Sequence, residues 1–163
     1  MKITTATEAD APAIAALRTS VAEDLTRQFG KGHWSSCATE KSVLRSIKTS
    51  RVLVACDDGE VIGTLSLQTK KPWAIDLSYF KIVGRPLHLL DMAVSPDRQR
   101  RGIGRQLIEE ATAVARAWPS EAIRLDAYDS DAGAGPFYAK CGFTEVGRKS
   151  YRGVPLVYFE LML

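Results

Sequence analysis

The chain has 163 residues, a net charge of +3 at neutral pH, and 45% apolar and 25% charged residues. These values are typical of one globular domain with a proper core, so we predict a single domain over residues 1–163. The small charge excess argues against a nucleic-acid partner, and the lack of a long apolar run argues against a membrane partner. The start of the chain carries acidic residues where a signal peptide needs an apolar core, so we expect a cytoplasmic protein.

The cysteine and histidine pattern predicts no metal site. Cys37, Cys56 and Cys141 are odd in number and far apart in the chain, and only His33 and His88 accompany them. This spacing does not provide the ligand cluster that zinc requires. We therefore expect three reduced thiols, as is usual in a reducing compartment, and no metal cofactor.

The first half of the chain predicts a strand, two helices and a hairpin. Apolar residues recur at helical spacing after candidate caps at Thr7 and Asp10. The pair Asp58-Gly59 joins two apolar runs and is a strong turn signal. The predicted elements are a strand over 2–6, helices over 7–25 and 39–48, and a hairpin over 51–69.

The second half of the chain alternates strands with helices. An apolar stripe with a 3.6-residue period begins at Ile103 and ends before Pro119, which predicts an amphipathic helix. The predicted elements are strands over 87–94, 122–129, 143–148 and 154–163 and helices over 103–118 and 133–142. Seven strands and four helices in this order predict an α/β fold with a mixed sheet and helices on both faces.

The segment that follows the strand over 87–94 has the residues of an anion site. Its sequence, SPDRQRRGIGRQL, places four arginines around Gly102 and Gly104. The first amides of a helix lack partners within the helix, and the helix dipole attracts negative charge to them. Glycine lets the backbone come close to a ligand. We therefore predict a phosphate-binding loop.

Two other phosphate-binding motifs fit this loop poorly. A P-loop ends in Gly-Lys-Ser/Thr, whereas this loop continues as Gly104-Arg105-Gln106 and lacks the magnesium-binding hydroxyl. A dinucleotide fingerprint is closer, because Asp126 follows at about the distance of a ribose-binding acid. However, Leu107 stands in place of the third glycine, and seven residues separate the strand from the first glycine.

The longer segment DMAVSPDRQRRGIGRQLI resembles motif A of the GCN5-related N-acetyltransferases (the GNAT family), whose core is Gln/Arg-x-x-Gly-x-Gly/Ala. The resemblance implies that the loop amides bind the pyrophosphate of acetyl-CoA and that the strand backbone pairs with the pantetheine arm. It also implies a mostly antiparallel sheet of about seven strands flanked by about four helices. The residues with implied cofactor contacts are Met92, Ala93, Val94, Gln99, Arg100, Arg101, Gly102, Ile103, Gly104 and Arg105.

A second segment, DAGAGPFYAKCGF over 131–143, resembles the family's pattern Asn-x-x-Ala-x-x-Phe-Tyr-x-x-x-Gly-Phe. The resemblance implies cofactor contacts for Asp131, Phe137, Tyr138 and Lys140. Asp131 departs from the family's Asn, and an ionised Asp cannot donate a hydrogen bond. The two segments resemble the family closely from 87 to 147, and the rest of the chain does so in the order of its elements.

The resemblance implies transfer of an acetyl group to a primary amine by direct attack in a ternary complex, with a backbone N–H facing the thioester oxygen. Tyr138 is the expected general acid for the departing thiolate. An amine with a pKa of ~10.4 must lose a proton before it attacks, and His88 and Asp91 are the candidate bases. Glu23 and Asp24 are weaker candidates, and a chain of waters is an alternative to any single base.

The sequence leaves the amine-bearing acceptor open. In this fold the segments over 23–36 and 70–80 border the acceptor, so Trp34, Trp73, Tyr79 and Phe80 either line a pocket or pack in the core. A homodimer is compatible with the resemblance, because dimers are common in the family. A non-catalytic acyl-CoA sensor on the same fold is the main alternative. A nucleic-acid module is disfavoured, because no aromatic stacking platform accompanies the arginines.

Overall fold

The computed structural model describes residues 1–163 and shows a mixed α/β fold with seven strands and four α-helices. The strands are β1 (Lys2–Thr5), β2 (Arg51–Asp57), β3 (Glu60–Gln68), β4 (Pro86–Val94), β5 (Ala122–Tyr128), β6 (Thr144–Tyr151) and β7 (Val154–Met162). The helices are α1 (Ala11–Phe29), α2 (Glu40–Thr49), α3 (Ile103–Ala117) and α4 (Gly135–Lys140). The fold class predicted from the sequence is confirmed.

The seven strands form one sheet with the order β1-β2-β3-β4-β5-β7-β6. The β4–β5 pair is parallel, and the β1–β2, β2–β3, β5–β7 and β6–β7 pairs are antiparallel. The predicted mostly antiparallel sheet is therefore confirmed.

The chain divides into two compact units. We call Met1–Gln68 with Leu90–Ala111 the first unit, and Thr69–Leu89 with Thr112–Leu163 the second unit. Strand β4 contributes its end to the first unit and its beginning to the second. That the chain is a single domain stays a prediction from the sequence.

Local sequence signals explain the elements of the first unit. The Asp10 carboxylate accepts a hydrogen bond from the Thr7 backbone N–H at 2.7 Å just before α1 begins. No helix breaker occurs before Gly30, whose φ of 80° ends α1 four residues beyond the predicted boundary. In the β2–β3 hairpin, Asp58 and Gly59 have φ angles of 48° and 80°, as a two-residue hairpin turn requires.

The start of α3 packs closely against β3 in the first unit. A side chain at Gly63 of β3 would lie 2.9 Å from Leu107 and 3.2 Å from Ile103, both buried on α3. Because Gly63 has no side chain, the first turns of α3 can lie directly on the sheet. This contact fixes the N-terminal end of α3, which directly follows the loop predicted to bind an anion.

The second unit contains a strand that is buried on both faces. The sequence AIRLDAYD alternates, with Ile123, Leu125 and Ala127 on one face, which predicts that β5 has a single buried face. In the structure its first four residues, Ala122 to Leu125, are all buried. The segment before β4 is held in the same unit, where the Lys149 ammonium pairs with the Asp76 carboxylate at 2.5 Å and the Tyr158 hydroxyl donates to the Ala74 carbonyl. None of the helices combines the length and the apolar character needed to span a bilayer.

Candidate active site

The loop between β4 and α3 is tied to its own base. The Ser95 N–H donates to the Ile62 carbonyl of β3 at 2.9 Å, and the Gln99 side-chain amide donates to the Val94 carbonyl at 3.2 Å. The Ser95 hydroxyl donates to the Asp97 carboxylate at 2.6 Å. These bonds hold the loop on the end of β4, so its backbone is positioned before any ligand arrives.

The backbone of the loop turns sharply before α3. Arg100 and Gly102 have φ angles of 61° and 83°, in the left-handed region that few residues other than glycine adopt. The first α-helical hydrogen bond runs from the Gln106 N–H to the Gly102 carbonyl at 3.0 Å. The Ile103 and Gly104 amides therefore precede the helical ladder. The structure thus places the predicted glycines at the start of α3, which is where an anion site on a helix must lie.

Arg98 differs from the other loop arginines. Its guanidinium lies 3.7 Å from both the Asp57 and Glu60 carboxylates of the β2–β3 hairpin and 3.5 Å from Asp97. The protein itself therefore balances the charge of Arg98, which needs no bound anion.

The remaining arginines of the loop face solvent. Arg100, Arg101 and Arg105 are exposed, and Arg100 and Arg101 form no salt bridge. Positive side chains beside open helix amides raise the local concentration of anions and strengthen a phosphate site. Residues 99–105 are therefore the part of the loop that can contact a polyphosphate. Because Arg98 is paired within the protein, the positive charge of the loop that faces solvent comes from three arginines and not four.

The end of β4 contains a backbone irregularity at Asp91. Its φ is 55°, although it lies within a strand. The Asp91 carboxylate accepts a hydrogen bond from the Arg18 guanidinium of α1 at 2.7 Å, and both side chains are partly exposed. Met92 and Val94 follow as half-buried residues, and Ala93 is buried. Nothing in the sequence pattern of α1 distinguishes Arg18, so sequence reasoning missed it.

His88 lies in the core of the second unit. It is 2% exposed, stands opposite Arg124 in the β4–β5 register, and its Nδ1 atom has no hydrogen-bond partner. Burial, aided by the positive charges of Arg124 and Lys71, lowers the pKa of His88 to about 4. The imidazole is neutral at pH 7 and weakly basic, which favours a structural role over proton abstraction.

Arg124 and Glu160 form a buried ion pair beside His88. Their side chains lie 2.9 Å apart, and the Arg124 guanidinium also stacks over the Phe80 ring at 5.0 Å and donates to the Lys81 carbonyl. A buried pair of this kind is stable only because its hydrogen bonds are satisfied. Arg124 and Glu160 each interrupt an apolar run, in β5 and in β7. These interruptions are the sequence signal from which the ion pair could have been predicted.

Tyr138 is buried on α4 among aromatic rings of the second unit. Its ring lies 5.3 Å from Phe137, 5.6 Å from Phe143 and 6.1 Å from Phe159. Burial raises the pKa of Tyr138 well above its ordinary value, and the charge of Asp126 adds to the rise. The phenol is therefore protonated throughout the neutral range, as a proton donor must be.

The other residues of the second motif are placed at and before α4. Phe137 is half-buried, whereas Asp131 and Lys140 are exposed. Burial raises the pKa of the Asp126 carboxyl on β5, a residue that the sequence suggested only for the rejected dinucleotide site. The structure thus places this carboxyl in the electrostatic environment of Tyr138.

The aromatic residues expected near the acceptor have different environments. Phe80 is buried, and Tyr79 lies against the backbone of Gly147 and packs edge-on to Tyr158 at 5.3 Å. Trp73 is 82% exposed. In the first unit, the Trp34 indole donates to the Gly30 carbonyl at 2.9 Å. Phe80 and Tyr79 therefore pack within the second unit, and Trp73 remains accessible to an acceptor.

The weaker base candidates lie on α1. Glu23 is exposed, and Asp24 accepts hydrogen bonds from Arg27 at 3.1 Å and from Gln28 at 2.7 Å. No group of three or more His, Cys, Asp or Glu side chains is arranged to hold a metal ion, and none of the three cysteines forms a disulfide.

A seven-stranded, mostly antiparallel mixed sheet, with a glycine-containing loop between β4 and α3, defines a class of α/β proteins. The model of the acetyltransferase (GNAT) family matches residues 18–143, and the chain belongs to this family. The resemblance noted in the sequence is therefore confirmed.

Solved structures show the same fold at low sequence identity. The ribosomal-protein-alanine N-acetyltransferase of Brucella melitensis is 21% identical, covers 100% of both chains and has a TM-score of 0.74. The acetyltransferase yncA of Salmonella typhimurium, solved with acetyl-CoA, is 20% identical over 99% of this chain and 93% of its own, with a TM-score of 0.73. The paia N-acetyltransferase of Thermoplasma acidophilum, solved with coenzyme A, is 16% identical over 96% of both chains, with a TM-score of 0.72. No curated protein matches the sequence.

Proposed function

We propose that this protein is an acetyl-CoA-dependent N-acetyltransferase that acts on a primary amine. The observation that carries the proposal is the loop before α3, in which Arg100 and Gly102 adopt left-handed backbone and the exposed Arg100 and Arg101 side chains lie next to the start of the helix. Family membership agrees with this ligand, as do the acetyl-CoA and coenzyme A complexes among the similar folds.

The residues present fit the phosphates of acetyl-CoA. The amides of Gly102, Ile103 and Gly104 would bind the pyrophosphate, and the exposed guanidiniums of Arg100 and Arg101 would balance its charge. The backbone of Met92 to Val94 would pair with the pantetheine arm as an added strand does. Acetyl-CoA supplies the acetyl group as a thioester, a good acyl donor.

The proton transfers are assigned to residues of this chain. A protonated acceptor amine must lose a proton before it attacks, and Asp91, which is partly exposed, or a water takes that proton. His88 is a poorer base, because its pKa is held near 4. Tyr138 donates a hydrogen bond to the sulfur as the carbon–sulfur bond breaks, and then a proton, which the phenolate regains from solvent. Because burial raises its pKa, the phenolate is never populated in the resting protein.

Trp73 is the acceptor-side residue that stays accessible. Its side chain is 82% exposed, in a segment anchored through Asp76 and Ala74. A large exposed indole on an anchored segment suits a flat or apolar acceptor, or an apolar side chain of a peptide acceptor.

A non-catalytic acyl-CoA sensor is the second candidate. The burial of both Tyr138 and His88 favours it, because a sensor needs neither a proton donor nor a base. A sensor would bind acetyl-CoA with the same loop, so binding alone does not separate the two functions. Amine-dependent release of free thiol does.

A pair of matched glycine variants tests the binding site. Gly102 and Gly153 have φ angles of 83° and 79°, and a side chain at either position meets nothing closer than 3.9 Å. Alanine at either position therefore costs a similar amount of backbone strain, about 1–2 kcal/mol. We expect Gly102→Ala to weaken acetyl-CoA binding at least tenfold in calorimetry and Gly153→Ala to leave it unchanged. Equal affinities in the two variants would refute the loop as the binding site.

A further inference from the structure

The backbone at Asp91 is unusual for a residue inside a strand. Extended residues have φ near −120°, whereas Asp91 has a φ of 55° between two strand neighbours. Asp adopts the left-handed region more readily than most residues, but glycine remains the residue that does so without cost. Such an outlier persists only where its surroundings hold it.

Arg18 is the residue that holds Asp91. Its guanidinium lies 2.7 Å from one carboxylate oxygen and is the single hydrogen-bond partner of the Asp91 side chain. Both side chains are partly withdrawn from solvent, at 24% and 33% exposure, which strengthens a charged hydrogen bond. Arg18 also projects from a fixed element, because the adjacent Leu17 and the nearby Ile14 are buried on α1.

We infer that Arg18 is a positioning residue for acetyl transfer. By holding the Asp91 carboxylate it maintains the left-handed turn in β4, and the turn sets the direction of the backbone amides from Met92 to Val94. Without the guanidinium, Asp91 relaxes toward extended backbone and rotates the peptide groups that follow it. This inference rests on the proposed function, in which those amides face the thioester.

The first test separates binding from turnover. The loop that binds pyrophosphate has its own hydrogen bonds at Ser95 and Gln99, so loss of Arg18 leaves it in place. We expect Arg18→Gln to lower kcat about tenfold, equivalent to about 1.4 kcal/mol, while the Kd for acetyl-CoA rises by clearly less than the fall in kcat, because only the pantetheine contacts of Met92 to Val94 are disturbed. Arg18→Lys should recover part of the loss. Lys48→Gln is the control, because Lys48 lies on α2, outside the segments that border the acceptor, and pairs with Glu8 in an exposed salt bridge.

The second test uses glycine as a conformational substitute for the ion pair. Glycine adopts a positive φ without being held, so Asp91→Gly should restore the turn when Arg18 is absent. We expect the backbone amide NMR signals of Ala93 and Val94, displaced in Arg18→Gln, to return toward their wild-type positions in the double variant Arg18→Gln/Asp91→Gly, a recovery that no simple loss of contacts produces. A double variant in which these signals stay as far from the wild type as in Arg18→Gln would overturn the inference, whether or not the Asp91 carboxylate also takes a proton.

The outcomes distinguish the inference from the proposed function. Wild-type turnover with an unchanged kcat in Arg18→Gln overturns the inference alone. The inference is also overturned if thermal unfolding shows that Arg18→Gln loses folded protein in the same proportion as kcat, because the ion pair would then stabilise the fold without positioning the amides. No thiol release by the wild-type protein with any amine overturns the proposed function, and the inference with it.

Discussion

The buried His88 predicts a specific loss of stability in mild acid. The imidazole is 2% exposed, and its pKa is lowered from 6.5 in the unfolded chain to about 4 in the folded protein. The His88 imidazole therefore becomes protonated near pH 6.5 in the unfolded chain but only near pH 4 in the folded protein. Stability from this group is fully present above pH 6.5 and is lost as the pH falls through that window.

The size of the effect follows from the width of the window. A difference of about 2.5 pKa units corresponds to about 3 kcal/mol, of which about 2.5 kcal/mol is lost between pH 7.5 and pH 4.5. Asp57 and Asp97 have pKa values lowered from 3.8, so the stability that these carboxylates contribute is lost mainly at pH values below this window. Asp126, whose pKa is raised by burial, acts in the opposite direction toward the acidic end of the window, so the contribution of His88 is obtained from the difference between the wild type and a His88 variant.

Urea unfolding at several pH values measures this effect. In His88→Gln, the free energy of unfolding should fall by about 2 kcal/mol less over the window than in the wild type. His33→Gln, which changes the only other histidine, is the control variant and is compared over the same window. Where His88→Gln does not fold, an NMR titration of wild-type His88 gives the same information. An imidazole that protonates above pH 6, or an unchanged pH dependence in the variant, would refute the reasoning.

Three further predictions concern the site and its support. Tyr138→Phe should lower kcat by about 10²-fold with little change in the Kd for acetyl-CoA, and full activity in steady-state assays would exclude the phenol as proton donor. Arg100→Gln should weaken acetyl-CoA binding and reduce its salt dependence, whereas Arg98→Gln should do neither, because Arg98 pairs with carboxylates of the protein; calorimetry at two ionic strengths compares them. Gly147→Val should displace the Tyr79 ring and destabilise the fold by about 1–3 kcal/mol in urea unfolding, and an unchanged midpoint would contradict the contact.

Local signals in the sequence were sufficient for most of the fold. The hairpin turn at Asp58-Gly59, the caps at Thr7 and Asp10 and the apolar stripe of α3 each predict their element from nearby residues. The predicted end of α1 fell short, because apolar spacing weakens after Leu25 while the helix continues to the glycine that ends it. The predicted alternation in β5 was wrong about burial, since that depends on neighbouring strands that no local pattern records.

The features of the site that depend on a contiguous stretch of sequence could be predicted. Those that depend on contacts between residues distant in the chain could not. The glycines and arginines of the loop are contiguous, so their role as an anion site can be deduced from the sequence. The neutralisation of Arg98 by Asp57 and the ion pair between Arg18 and Asp91 join residues far apart in the chain. The low pKa of His88 arises from burial, which requires the three-dimensional fold.

Amine-dependent release of free thiol from acetyl-CoA, with mass spectrometry of the product, tests the proposed activity most directly. The acceptor panel should contain polyamines, aminoglycosides, amino acids and peptides with free N-termini or lysines. The proposal predicts that at least one amine raises the rate of thiol release well above hydrolysis and gains an acetyl group. Acetyl-CoA binding in calorimetry without acceleration by any amine would contradict catalysis and indicate the acyl-CoA sensor instead.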